Sequence, residues 1–258
     1  MSAKKKKPTV SLFFPVYNDE ATVRRVAEKS LKVLNDVASD HEVIIVNDGS
    51  PDDSGEVADR LAREYEKVRV IHHERNKGYG KALQTGFENA TLGEWICFTD
   101  GDDQYDVNEL GHIVKLLSRY DMIITFRYCK IYSTWRMFVS HVYNMVLRAI
   151  FRCPYRDISS GLKLIRRDVL DDIDVCSSSP FVGAEVTLKA DLKGYRIGEV
   201  GISTYPRYFG ESTSTSWKNI KATIGDMLRF RREVFTNRPR PELEDSNLDQ
   251  TKRSNAES

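Results

Sequence analysis

Between residues 10 and 125, five short runs rich in branched and aromatic side chains alternate with stretches of helical spacing. That rhythm leaves few folds open. The runs cover residues 10–15, 42–46, 68–71, 95–99 and 122–125. The helical stretches cover residues 20–37, 53–65, 81–90 and 106–117. In the first of these, Val23, Val26, Leu34 and Val37 recur at helical spacing, and Asp53 reads as the cap of the second. Strands separated by helices of this length predict a parallel sheet wrapped on both faces. The expectation is therefore an α/β, Rossmann-like, doubly wound domain with ligands at the strand carboxyl ends.

Those ends are where the polar residues gather. The first run exits into Pro15-Val-Tyr17-Asn-Asp19-Glu20, the second into Asn47-Asp48-Gly49-Ser50, and the fifth into Arg127-Tyr128. The fourth exits into Asp100-Gly101-Asp102-Asp103-Gln104. Carboxylates this close resist ionising beside one another, and a divalent cation relieves the repulsion. Hard oxygen ligands suit Mg²⁺ or Mn²⁺. Alone, so short a pattern reads more readily as a solvated acidic turn. Four polar exits on one edge, one of them cationic, are more than turn chemistry predicts. A nucleotide needs an apolar wall, acceptors for base and ribose, and a cation for its diphosphate; Tyr17, Asp19, Asp48 and the acid cluster offer these.

Composition narrows the classes. A 40% hydrophobic content supports a core, and a formal net charge of +1 gives no global attraction to nucleic acid or membrane. The four cysteines (Cys97, Cys129, Cys153 and Cys176) form no Cys-x-x-Cys pair, which argues against a zinc site and fits a reducing compartment. No apolar stretch reaches the length of a spanning helix, and the lysine run near residue 4 is followed by no apolar region.

The ordered set Pro15-Val-Tyr-Asn-Asp19, Asn47-Asp-Gly-Ser-Pro-Asp52, Asn76-Lys-Gly-Tyr-Gly-Lys81 and Asp100-Gly-Asp-Asp-Gln104 resembles a family 2, GT-A fold glycosyltransferase. Three further stretches are similar to the dolichol-phosphate mannose synthase branch of polyprenyl-phosphate sugar transferases. They are Asp157-Ile-Ser-Ser-Gly161-Leu-Lys-Leu-Ile-Arg-Arg, Gly183-Ala-Glu185 and Pro206-Arg207-Tyr-Phe-Gly-Glu-Ser212. The resemblance spans about residues 8 to 235. It departs at Asp19, where the family usually has Glu, and at Asn47, where it often has Asp.

The resemblance implies an inverting hexosyltransferase that moves a sugar from a GDP- or UDP-sugar to a polyprenyl (dolichyl or undecaprenyl) phosphate. It would act peripherally on the cytoplasmic face of a membrane, with or without a separate membrane-anchoring subunit. By matching motif, Asp100 and Asp102 would hold Mg²⁺ or Mn²⁺, with Gln104 as a further ligand or a supporting donor. Pro15, Tyr17, Asp19, Asp48, Lys81 and Gly101 would line the donor site. Arg127 and Arg207 would contact phosphates, with Ser212 beside Arg207 on the acceptor side. No general base stands out; Asp103 and Glu185 are candidates that can equally be structural.

Two amphipathic segments complete the reading. Residues 131–151 place Ile131, Trp135, Phe138, Val142, Met145 and Ala149 on one face, and a second stripe runs from Trp217 through Ile220, Ile224, Leu228 and Phe235 among basic residues. Such helices cover a sheet or lie in a membrane interface. Residues 1–7 and 237–258 read as disordered tails around a domain of residues 8–236. A family 2 transferase with a glycan or other lipid acceptor, and a non-catalytic sugar-nucleotide-binding subunit, remain as alternatives.

Overall fold

The computed structural model describes residues 6–128, 134–206 and 216–236. In chain order its elements are β1 (Thr9–Val16), α1 (Glu20–Val37), β2 (Asp40–Asn47), α2 (Ser54–Glu64), β3 (Val68–His72), α3 (Tyr79–Asn89) and β4 (Trp95–Phe98). There follow α4 (Leu110–Ile113), β5 (Met122–Arg127), α5 (Thr134–Phe151), β6 (Lys163–Arg166), α6 (Arg167–Asp171), α7 (Val182–Leu192), β7 (Ile197–Ile202) and α8 (Trp217–Thr236). The five strands and the helices of the first half fall where the periodicity puts them. The stretch 106–117 is the exception: α4 is a single short turn flanked by 3₁₀ turns at Val107–Glu109 and Val114–Leu116.

The seven strands form one sheet in the order β3-β2-β1-β4-β6-β5-β7. All neighbours are parallel except β6, which runs antiparallel between β4 and β5. The expectation of a purely parallel sheet is corrected there. β6 begins at the edge where the other strands end, so the Asp157–Gly161 stretch reaches the same edge as the acids from the opposite direction.

Strand alternation divides the core into two layers. Leu12, Phe14, Val43, Ile45 and Cys97 meet α1, α2 and α4 through Val23, Val26, Leu34, Leu61 and Ile113. Phe13, Ile44, Val46, Ile96 and Phe98 face the other way, onto Leu83 and Phe87 of α3, Leu147 of α5, Val186 of α7 and Phe230 of α8. Each large side chain so buried contributes about 1.5–3 kcal/mol. The rings of Phe13, Phe87 and Phe98 lie 5.0–5.9 Å apart, beneath the end of β4 that carries the acids.

Candidate active site

The loops after β1 and β2 are stitched together. Asn18, at φ 58° in the left-handed region, turns the chain. Its amide donates to Ser50 Oγ (3.3 Å), the Asp19 amide to Ser54 Oγ (3.1 Å), and the Glu20 amide to Asp52 Oδ2 (3.2 Å). Asp52 also accepts from the Ser54 amide, so it, rather than the Asp53 side chain, caps α2. The Asp19 carboxylate accepts from the Tyr17 amide at 3.2 Å, and both residues are half-buried. Pro15 is buried, and its carbonyl is the contact that keeps residue 101 a glycine: a β-carbon on Gly101 would stand 2.5 Å from that oxygen.

Asp48 is buried, with its carboxylate turned inward. It accepts from the amides of Lys77 and Gly78, both at 2.8 Å, and lies 2.6 Å from His73 Nδ1. The opposite ring nitrogen of His73 meets Thr85 Oγ1 at 2.9 Å. Asp48 therefore shapes the loop that enters α3. Asn47 makes a parallel bond, 3.0 Å to His72 Nδ1, and its Oδ1 accepts from the Ser50 amide. Lys81 is exposed on α3, with its amine on Gln84 Oε1 at 2.7 Å.

Asp100 and Asp102 stand half-buried at the end of β4. Asp100 Oδ1 accepts from the Tyr79 hydroxyl at 2.8 Å. Burial, and then the Asp100 charge, raise the Tyr79 pKa well above that of an ordinary phenol, so it remains a donor. The other Asp100 oxygen lies against Gly161, where a β-carbon would come within 2.3 Å. Asp102 Oδ1 accepts from the Gln104 amide at 3.2 Å. The Gln104 side chain is buried, which favours its supporting role over that of a ligand facing the diphosphate. Its carbonyl accepts from the Tyr205 amide at 2.9 Å, and Tyr205 OH donates to Asp106 Oδ2.

The two candidate bases are committed elsewhere. Asp103, at φ 57°, points back to α1, where Lys29 reaches both its oxygens at 2.9 Å and Arg25 approaches to 2.5 Å. Glu185 is buried under the 174–179 segment, accepting from the Cys176 and Ser177 amides and pairing with Lys189. The Arg127 side chain is 8% exposed and grips Asp157 with Nε (2.7 Å) and a terminal nitrogen (3.1 Å). Asn144 and Ser159 donate to the same carboxylate. Arg127 thus braces β5 to the 157–161 loop. Arg207 and Ser212 lie outside the described residues.

Beneath that loop Lys163 is fully buried, its amine bonded to the carbonyls of Ile158 and Gly183 and to Thr187 Oγ1. Burial pushes its pKa down to about 7, against the pull of the Asp157 and Asp100 charges. Three acceptors suit its three donors.

Among the described residues, no three His, Cys, Asp or Glu side chains converge as a metal cage. Mg²⁺ is commonly held by one or two carboxylates together with substrate phosphates and water, and Asp100 with Asp102 fits that use.

A family model described as glycosyl transferase family 2 matches residues 11–174. The chain belongs to glycosyl transferase family 2. Over 208 residues it is 28% identical to glycosyltransferase AglD of Haloferax volcanii, covering 77% of this chain and 33% of that protein. It is 30% identical over 206 residues to an undecaprenyl-phosphate 4-deoxy-4-formamido-L-arabinose transferase of Pectobacterium atrosepticum, covering 79% of this chain and 62% of the other. The chain thus spans between a third and two thirds of these relatives' lengths. Glucosyl-3-phosphoglycerate synthase of Mycobacterium tuberculosis, solved with Mg²⁺ and UDP, superposes with a TM-score of 0.65 at 19% identity, over 86% of this chain and 79% of that one. A second structure of that enzyme, with Mn²⁺, UDP-glucose and phosphoglyceric acid, gives 0.64 at 20% identity, over 87% and 80%. The fold of this family 2 glycosyltransferase is GT-A.

The resemblance that the motifs carried in sequence therefore holds for family, fold and enzyme class. Tyr79 and Gly161 were inside quoted motifs, yet nothing in the sequence marked them as neighbours of Asp100.

Proposed function

We propose that this glycosyltransferase moves a sugar from a nucleoside-diphosphate donor to a polyprenyl phosphate at a membrane surface, assisted by Mg²⁺ or Mn²⁺. The observation that carries the reading is the meeting of Asp100 and Asp102 with the interlocked loops after β1 and β2 at the sheet's carboxyl edge. When bound, the cation would stabilise the charge left on the departing diphosphate. The chain's own residues do the positioning. Thr22 Oγ1 holds the Gly101 carbonyl at 2.7 Å, fixing the turn between the two acids. Asp48 fixes the 77–78 loop beside them. Tyr17 and Asp19 offer a ring and an acceptor on the donor side.

The acceptor reading draws on the relative named for undecaprenyl phosphate. It also draws on the engagement of Asp103 and Glu185 in structural pairs. A phosphate monoester is largely ionised near neutral pH, its second pKa being about 6, so it attacks without a protein base, whereas a glycan hydroxyl needs one. Arg207 and Ser212 are proposed as its phosphate contacts on the strength of the Pro206–Ser212 motif alone.

The membrane reading draws on α5 and α8. Each buries one stripe, Tyr143, Leu147 and Ile150 on α5 and Met227, Phe230 and Val234 on α8. Each also exposes apolar side chains: Met137, Phe138 (59% exposed) and Met145 on α5, and Trp217 (78%), Ile224 and Leu228 on α8. Lys221 and Arg231 fall on the outer stripe of α8. Among the described residues no helix is long and apolar enough to cross a membrane, and a lipid phosphate is presented at the bilayer surface.

A screen of GDP- and UDP-sugars against polyprenyl phosphate with Mn²⁺, reading lipid-linked sugar, tests the proposal. Product with one donor is expected, lost in EDTA. Glycosylation of a glycan acceptor, with none of the lipid phosphate under any donor, would overturn it.

A further inference from the structure

We propose that Tyr79 is a positioning residue for the cation site: its hydroxyl, donated to Asp100 Oδ1 at 2.8 Å, holds that carboxylate in the pose that receives the divalent ion. The inference rests on the cation-dependent reading above. A carboxylate at a strand end turns about its terminal bond unless both oxygens are engaged. Here Tyr79 engages one oxygen, and the close approach of Gly161 walls the other. A hydroxyl donating to a carboxylate is a charge-assisted bond, stronger than a neutral one. Groups that orient metal ligands in this way are worth about 10–100-fold in metal affinity when removed.

The phenol can do this because its own place is fixed. Tyr79 is the first residue of α3 and packs against the core layer of that face. On one side the preceding Gly78 amide is held by Asp48. On the other, Gly80 lies against the Ser178 backbone, where a β-carbon would stand 2.3 Å from the carbonyl carbon. One turn later Gln84 Nε2 donates to the carbonyls of Val175 (3.1 Å) and Ser177 (3.0 Å). That segment is anchored in turn by Glu185 of α7, which accepts from the Ser177 amide (2.7 Å), and by Asp226 of α8, which accepts from the Ser179 amide (3.1 Å). The start of α3 is clamped between the donor loops and the two helices of the second half, and the hydroxyl is aimed at Asp100 before any ligand arrives.

The test is Mn²⁺ binding to the full chain, followed by electron paramagnetic resonance in the presence of UDP and, separately, GDP, for wild type and Tyr79→Phe. The expected result is a Mn²⁺ dissociation constant raised about 10–100-fold, with nucleotide affinity in the absence of metal unchanged. Transfer by the variant should recover as Mn²⁺ is raised, so the loss lies in the metal's half-saturation rather than in kcat. A purely structural role for Tyr79 predicts no such recovery. A shift below about tenfold, the lower end of that range, overturns the inference. If Tyr79→Phe does not fold, Tyr79→Met, which fills similar space without a donor, is read in the same way. Wild-type protein that takes up no Mn²⁺ with either nucleotide sinks both this inference and the cation-dependent reading. Wild-type uptake matched by the variant sinks this inference alone.

Discussion

Residues 8–127 and the described residues from 134 onward reach the same edge of one sheet, the first through turns whose amides and carboxylates interlock, the second through the 157–161 stretch and Tyr205, with helices α5 and α8 that carry two apolar stripes. In the first region almost every polar group near the acids has a partner from another loop: Ser50, Asp52 and Ser54 serve the β1 exit, and Asp48 serves residues 77–78. Such a network fixes geometry, which a diphosphate and a cation need. In the second region α5 and α8 leave Phe138, Met145, Trp217, Ile224 and Leu228 largely exposed to solvent. Apolar area left outward on a helix that already buries a face suits a fluid, non-directional partner such as lipid. On the function proposed above, the contrast would put precision on the donor side and adaptability on the acceptor side.

The sharpest way to break that contrast is Asp102→Ala. Removing a carboxylate of the precise region should lower transfer more than about a thousandfold, the several kcal/mol that a Lewis acid supplies. Turnover near wild type, or full activity in excess EDTA, would take the cation out of the mechanism.

Next in size is Arg127→Ala. It leaves Asp157 buried without its guanidinium, at a cost of about 3–5 kcal/mol in stability. A large drop in Tm is expected, and Asp157→Asn in addition should restore part of it. A variant with wild-type Tm that has lost acceptor binding would instead support phosphate contact by Arg127.

Arg207→Ala comes third. Loss of a charge-assisted phosphate contact costs about 1.5–3 kcal/mol, or about ten- to a hundredfold. The loss should fall on the lipid phosphate's KM, with donor binding by calorimetry unchanged; an equal loss on both sides would place Arg207 on the donor diphosphate.

The smallest single effect is expected at Phe138→Ser. Withdrawing one ring from the interface should weaken vesicle partitioning by about 1.5 kcal/mol, roughly tenfold, with activity on a short soluble prenyl phosphate intact. Flotation with anionic liposomes reads it. Partitioning that ignores both this change and Ile224→Ser would leave the outer stripes without a membrane role.

Much of the precise region was readable in advance, because its signals are local. Strand runs, helix spacing and polar exits lie within a dozen residues of one another, and the ordered motifs identified the family. The site's side-chain roles were less readable. Asp103 and Asp102 are adjacent in sequence, yet a left-handed turn at Asp103 sends it to α1 while Asp102 stays at the edge. The place of Arg127 at a strand end was visible, but its pairing with Asp157, 30 residues away, had no local signal. The amphipathic helices gave an ambiguous stripe because two faces are apolar, one for the core and one outward.

The sequence by itself determined the α/β alternation, the position of the acids at a strand's carboxyl end, and membership of a glycosyltransferase family, since each follows from periodicity or from motifs in a fixed order. Only the tertiary structure decided the antiparallel insertion of β6, the inward commitment of Asp48, Glu185 and Arg127, and the approach of Tyr79 to Asp100. A four-residue run such as Lys163–Arg166 has no period long enough to announce its direction. A hydroxyl 21 residues from its carboxylate becomes a partner only after strand order and helix docking have brought the two ends of the chain segment together.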